Sequence, residues 1–271
     1  MARANRHFIP GHIWHLTHRC HKREFLLKFS KDRYRWIELL LEAKHRYRLS
    51  ILNFIVTCNH VHLVLFDASG SESIPRAMQF IAGRVGQEYN RRKNRQGAFW
   101  QDRYHATAIE SGEHLWRCIV YVDLNMVRAG VVDHPAEWRW SGYHEIQKPK
   151  IRYRLIDHVK LLQFLNADNH DALAKTHRRW VESQLKKGPE HQGHFSASIA
   201  VGSQSFIQKV LQSLGAKGIG RRMAEAPMGE YQLKESLAKY GSSALDPVVS
   251  HQSASSVINT IPWRWEKSLK P

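Results

Sequence analysis

The sequence contains no run of about 18 apolar residues, so no membrane span is expected. Cysteine is scarce: Cys20, Cys58 and Cys118 are scattered, and no CxxC pair occurs. That excludes a disulfide scaffold and a cysteine-based zinc site. Acidic residues are few as well. Only 24 Asp+Glu stand against 41 Lys+Arg in 271 residues, a net charge of +17. An excess of this size concerns partners rather than fold, and points to a polyanion such as nucleic acid or an acidic membrane surface. The first six residues are basic, but IPGH at 9–12 falls where a secretory apolar core would lie. A reducing, cytoplasmic setting is the expectation. What is present is enough apolar material, 42% of residues, to exclude a wholly disordered chain.

Residues 13–20 and 51–57 (ILNFIVT) read as strands, as does HVHLVLF at 60–66. Only Cys58 and Asn59 separate the last two, which predicts a tight hairpin. Residues 31–47 place Trp36, Leu39, Leu40 and Ala43 on one helical face, and residues 73–93 repeat that spacing through Ile74, Ala77, Met78, Ile81, Val85 and Tyr89. Residues 99–110 alternate like a strand. A helix is predicted from Ser111 through at least Asn125. The order β-α-β-β-α-β followed by a helix predicts an α+β fold: a ferredoxin-like split βαβ antiparallel sheet. Both crossover helices then lie on one face, leaving the other for a substrate or a further element.

After Gly130 the pattern becomes mostly helical, at 155–165, 171–186 and 204–214, with a break at 188–193. Beyond Gly241 serine is dense and periodicity is lost. The expected organisation is a catalytic domain at 1–132, a helical extension at 133–240 and a poorly ordered tail at 241–271, pinned by Trp263 and Trp265. Net charge is +10 over residues 1–130 and +7 over 131–271, so both parts are suited to a polyanion.

Two patterns carry chemistry. His60 and His62, at i and i+2 of a strand, project from the same face and form half of a divalent-metal site. With 18 histidines in the chain, such a pair also arises by chance. Tyr121 and Asn125, at i and i+4, lie one helical turn apart. A tyrosine hydroxyl can attack phosphorus, and an amide oxygen can ligate a hard cation. Alone, that pair reads as ordinary packing. A metal hydrolase would need further His or Asp ligands soon after His62, and residues 63–66 supply none. Tyr104, beside His105, is the rival nucleophile. The basic residues Arg91, Arg92, Lys93 and Arg95, with Arg103 and Arg128, are candidate phosphate contacts; Arg3, Arg6 and His7 are similar. Trp14, Trp100, Trp138 and Trp140 read mainly as core residues, with one or two able to stack on bases.

Taken together, NHVHLVL at 59–65, WQDRYH at 100–105, YVDLNMVRAGVV at 121–132 and WRWSGY at 138–143 form a specific joint motif. It resembles the REP-associated tyrosine transposases, insertion-sequence-200-like members of the single-tyrosine HUH transposase superfamily. IAVGSQSF at 199–206 is a weaker echo. The resemblance implies His60, His62 and Asn125 as ligands of Mg²⁺ or Mn²⁺, and Tyr121 as the nucleophile. It implies a DNA strand transferase that cleaves and rejoins single-stranded or hairpin DNA from repetitive palindromes through a 5′-phosphotyrosine. The protein would be a monomer or homodimer near the nucleoid, without membrane contact. Two positions depart from the family's usual text: Met126 and Cys58 replace prolines. Met126 lets the helix continue past Asn125, which leaves that ligand's direction open. Cys58 reads as a small hairpin residue. The departures keep a second reading alive, a catalytically impaired nucleic-acid binder that retains the fold.

Overall fold

The structure is a computed structural model and describes residues 8–67, 72–188 and 193–235. The expected tail at 241–271, with Trp263 and Trp265, lies outside the described residues, as do Arg3, Arg6 and His7.

Four strands, β1 (Ile13–Arg19), β2 (Ser50–Val56), β3 (His60–Phe66) and β4 (His105–Ile109), form the first part of a mainly antiparallel sheet in the order β2-β3-β1-β4. Helices α1 (Ser30–Tyr47) and α2 (Ser73–Lys93) make the crossovers and pack on each other. This is the split βαβ arrangement, with β1 central. β1 pairs with β3 so that Thr17 faces His62 and Arg19 faces His60. On the other side of β1, His15 faces Thr107. Because strand side chains alternate, His15, Thr17 and His62 emerge together on one face, while Leu16, Val61 and Leu63 enter the apolar core on the other.

The expectations for β3 and α2 hold to the residue. The predicted strand at 99–110 is shorter: His105–Ile109 pair as β4, the ladder is interrupted over 101–104, and Trp100 keeps only an isolated antiparallel bridge to Cys20. There Phe99 O accepts from His21 N at 2.9 Å and Trp100 Nε1 donates to Ala82 O at 3.1 Å. The helix predicted through Asn125 ends early, since α3 spans Glu113–Asp123. Leu124 breaks the helical dihedrals with ψ near 5°, and a separate turn, α4 (Asn125–Arg128), follows.

The second face of the sheet takes a further element, the second of the two expected uses. Asn53 on β2 donates from Nδ2 to Ile119 O at 3.3 Å and to Asp123 Oδ1 at 3.1 Å, which seats α3 there. The other Asp123 oxygen accepts from His177 Nε2 at 2.7 Å in a fully buried pair. Thus the end of α3 is held between β2 and the extension. Gly142 permits this approach: a Cβ there would meet Asn53 Oδ1 at 2.3 Å.

In the extension, α6 (His158–Leu165), α7 (His170–Lys187) and α8 (Gln204–Leu214) agree with the helical pattern, while the short α5 (Tyr143–Gln147) lies outside the expected helices. Three of them begin on side-chain caps from Asp157, Asn169 and Ser203. Three further strands are not anticipated by the sequence: β5 (Ala200–Gly202), β6 (Arg222–Ala226) and β7 (Glu230–Lys234). β5 joins β4 in parallel, completing a seven-stranded sheet in the order β2-β3-β1-β4-β5-β7-β6.

Glu230 at the start of β7 ties the extension to α3. It is 1% exposed and accepts from His114 Nδ1 at 2.8 Å and His194 Nε2 at 2.9 Å, with Arg117 Nη1 3.3 Å away. Burial alone would raise its pKa, but the two histidines and Arg117 outweigh that and hold it at about 2. Replacing Glu230 with Ala strands the Arg117 guanidinium and two buried or half-buried histidine donors and is expected to cost about 2–3 kcal/mol, below the range for a fully buried pair because His114 and Arg117 keep some solvent contact. Urea denaturation measures it; an unchanged midpoint would contradict the assignment.

Candidate functional site

The polar face of β1 and β3 meets α3 and α4 at one spot. His60 and His62 have ring centroids 4.9 Å apart, with planes at 80°. The Tyr121 ring lies 5.8 Å from that of His62, at 90°. Asn125 Nδ2 is 3.0 Å from His62 Nε2. Tyr121 and Asn125 therefore converge on the histidine pair even though Leu124 interrupts the helix between them.

His60 has a defined tautomer. The Thr57 hydroxyl donates to His60 O at 2.8 Å, so its oxygen is left to accept from His60 Nδ1 at 3.0 Å; Asn59 Oδ1 is a second acceptor at 2.7 Å. Nδ1 therefore carries the proton, and Nε2 keeps a free lone pair. Burial lowers the His60 pKa to about 3, helped by nearby Arg19. Burial also lowers His62 well below the usual histidine value, with His60, His15, Arg128 and Arg19 adding to the effect. Both rings are neutral, as metal ligation requires.

Around the nucleophile candidate, the Tyr121 hydroxyl shares a 3.0 Å hydrogen bond with Ser196 Oγ. The Arg128 guanidinium lies 4.2 Å above the Tyr121 ring and donates to Tyr121 O at 2.7 Å. The Phe195 ring is 5.4 Å from that of Tyr121, which is only 6% exposed. Thr17 Oγ1 lies 3.2 Å from His62 Nδ1 and donates to Ser196 Oγ at 3.4 Å.

His15, Thr17, Phe195 and Ser196 escaped the sequence reading. A signal exists for the first two: in IWHLTHR they are polar at alternate positions of an otherwise buried strand. Phe195 and Ser196 carry none, because they reach the site through chain connectivity beyond the sheet's core.

Of the basic candidates, Arg128 alone is seated against Tyr121. Arg91, Arg92, Lys93 and Arg95 lie at the C-terminal end of α2, in the helix layer of the opposite face. There Arg92 pairs with Asp32, Arg95 donates to Ala98 O at 3.0 Å, and Lys93 sits 5.2 Å over the Phe29 ring. Arg103 and Tyr104 line a cavity of about 750 Å³ with Met78, Gln79 and Ala82 of α2. Tyr104 is thus on the α2 side of the sheet, away from the histidine pair. The Cys58 thiol faces Arg33 at 3.8 Å, and burial raises its pKa, so it is no reactive partner of the site.

The donor chemistry fits a divalent cation. Two neutral imidazoles with a neighbouring amide make a mixed nitrogen–oxygen set suited to Mn²⁺ or Mg²⁺ with water and phosphate completing it. Among the described residues, no group of three or more His, Cys, Asp or Glu side chains could hold a metal, so a third protein ligand beside the two histidines would have to be of another type, such as the Asn125 amide.

The buried histidines also set the acid response. His15 is fully buried and its pKa falls to about 4, mainly through desolvation. A group with a lowered folded-state pKa binds fewer protons folded than unfolded, so its contribution is intact above pH 6.5 and shrinks as pH falls toward 4. At pH 5, His15 alone is expected to remove about 2 kcal/mol, with His62 acting in the same direction. Urea midpoints at pH 7 and pH 5 test this; equal midpoints would contradict it.

The fold and the site together define a split-βαβ domain with a paired-histidine, tyrosine and asparagine centre on one sheet face. Residues 9–123 match the family described as "Transposase IS200 like", a span that holds His60, His62 and Tyr121 and stops two residues before Asn125. The match supports a transposase role. Among solved structures, the chain is similar to one described as "Structure of the REP associates tyrosine transposase bound to a REP hairpin", at 20% identity over 54% of this chain and 84% of that one, with a TM-score of 0.46. It is also similar to a putative transposase from Deinococcus radiodurans, at 15% identity over 48% of this chain and 98% of that one, with a TM-score of 0.32. No curated protein matches. Among the described residues, no helix is long and apolar enough to cross a membrane.

Proposed function

We propose that this protein is a metal-dependent DNA strand transferase that cleaves and rejoins single-stranded or hairpin DNA through a 5′-phosphotyrosine at Tyr121. The observation that carries the reading is the convergence of Tyr121 and Asn125 on the two neutral histidines His60 and His62. Residues 1–132 form the catalytic unit, and 133–240 complete its surroundings.

The Tyr121 oxygen attacks phosphorus, the P–O3′ bond breaks, and the phenolic proton is replaced on the departing 3′ oxygen through solvent. The products are a tyrosyl 5′-phosphodiester and a free 3′-OH. A second 3′-OH reverses the step, so the bond energy is retained and no nucleotide cofactor is consumed. Arg128 places positive charge beside the phenol, where negative charge develops. Ser196 holds the hydroxyl in one orientation. Held by His60, His62 and Asn125, Mg²⁺ or Mn²⁺ would polarise a non-bridging phosphate oxygen. The positive surface supplies sequence-independent affinity that weakens with salt.

The alternative, a binder that retains the fold without cleavage, is favoured by one observation: Tyr121 lies beneath Phe195. Incubating the protein and Mn²⁺ with labelled hairpin oligonucleotides separates the two. A covalent adduct at Tyr121 supports the transferase; binding without nicking supports the binder.

A further inference from the structure

We infer that His15 is a positioning residue that fixes His62 as a metal ligand by dictating which of its ring nitrogens is free. The inference rests on the reading of His60 and His62 as a metal site.

Phe195 O lies 2.8 Å from His15 Nδ1, and a carbonyl can only accept, so Nδ1 of His15 carries a proton. In a neutral imidazole the other nitrogen is then bare. His15 Nε2 lies 2.8 Å from His62 Nδ1, so His62 must donate there. The two rings lie within 8° of parallel, as an in-plane N–H···N bond needs. With its Nδ1 protonated, His62 presents the Nε2 lone pair toward Asn125. At the far end the Asn125 amide nitrogen sits 3.0 Å from His62 Nε2, a placement that suits the same tautomer. The Phe195 carbonyl, which can only accept, therefore sets the tautomers along the chain Phe195–His15–His62. Metal-ligating histidines are commonly held in this way by a hydrogen bond at the other nitrogen.

The relay reaches outside the matched span. Its first member, Phe195, lies in the turn Gly193–Ser196, 72 residues past the end of the matched family span 9–123. Without it, His15 would be free to reverse its polarity and His62 would retain only Thr17 Oγ1, at 3.2 Å, as an Nδ1 partner. The extension therefore contributes a backbone acceptor to the geometry of the site, and it does so through a residue whose side chain is not the agent.

The test compares His15→Leu, which removes the relay, with His15→Gln, whose amide offers one donor and one acceptor as the imidazole does. Mn²⁺ affinity is measured by calorimetry on the full chain without DNA, and hairpin binding by anisotropy. His15→Leu is expected to weaken Mn²⁺ binding about 10–100-fold while hairpin affinity stays within about 2-fold, and His15→Gln is expected to recover most of the loss. Independently, ¹⁵N NMR of the wild-type protein should show His62 protonated at Nδ1. Wild-type Mn²⁺ affinity in His15→Leu, or no recovery in a folded His15→Gln, overturns the inference; so does His62 protonated at Nε2. If His15→Leu does not fold, His15→Gln and the wild-type spectrum decide. A wild-type protein that binds no Mn²⁺, or binds it equally well as His60→Ala, overturns the metal-site reading instead, and the spectrum still tests the relay.

Discussion

Tyr121→Phe protein is expected to bind a labelled palindromic hairpin but to form no covalent adduct with it. The substitution removes one oxygen and leaves the ring, which packs against His62, His15 and Phe195 and carries the Arg128 guanidinium on its face. Packing therefore survives, and the only hydrogen bond lost is the one to Ser196 Oγ. Net stability should change by about 1 kcal/mol or less. Adduct formation should fall by at least about 10³-fold, since the hydroxyls left at this spot, Ser196 and Thr17, are aliphatic and far less acidic than a phenol. Tyr104, the rival in sequence, lies on the α2 side of the sheet and cannot substitute. Denaturing gels with a 5′- and a 3′-labelled strand give the readout, and peptide mapping identifies the linked residue. Adduct persisting in Tyr121→Phe would remove the nucleophile assignment, whereas hairpin affinity falling in parallel would show that the hydroxyl serves binding instead.

How much of this was legible in the residues varies by element. HVHLVLF defined β3 to the residue because its β-branched and aromatic content is local, and the two histidines at i and i+2 fixed their common face. The helix α2 was equally plain from its spacing. The break at Leu124 was not. Met126 in place of proline suggested a continuing helix, yet the α3 terminus is set by tertiary bonds from Asn53 and His177 to Asp123, which no local propensity encodes. Strands β5, β6 and β7 were invisible for a similar reason. They have three to five residues each, and β5 is a strand because β4 offers it an edge. His15 was one histidine among 18, and only its register opposite Thr107 and beside the His62 strand gives it meaning. Phe195 acts through its carbonyl, and a backbone atom leaves no trace in a sequence.

Arg19 faces His60 across the β1–β3 pair, and Arg128 covers Tyr121, so two of the surplus cations border the candidate site. The cations at the end of α2 are partly committed to Asp32 and to backbone carbonyls. Neutralising Arg128 should therefore affect cleavage, while changes at Arg91 should alter affinity and its salt dependence alone.

The second large effect concerns the metal. His60→Ala is expected to abolish Mn²⁺-dependent cleavage, by about 10²-fold or more, with hairpin binding retained. His60 is the cleaner of the two histidines to remove, because its Nδ1 bonds stay within the hairpin, to Thr57 and Asn59, and the loop keeps its backbone bond from Thr57 N to His60 O at 2.9 Å. His62→Ala should abolish cleavage too, but it also leaves His15 Nε2 without its donor in a fully buried setting, so a stability loss of about 1–3 kcal/mol is expected beside the catalytic one. The pair thus separates ligation from packing: equal loss of cleavage with unequal loss of stability is the signature of two ligands, one near the rim and one in the core. Chelation of wild-type protein should reproduce the catalytic effect without the structural one, and added Mn²⁺ should restore wild-type activity but neither variant's. Cleavage that survives both His60→Ala and chelation would place the chemistry outside this histidine pair, and hairpin binding that disappears in His60→Ala would mean that the pair holds DNA rather than a cation.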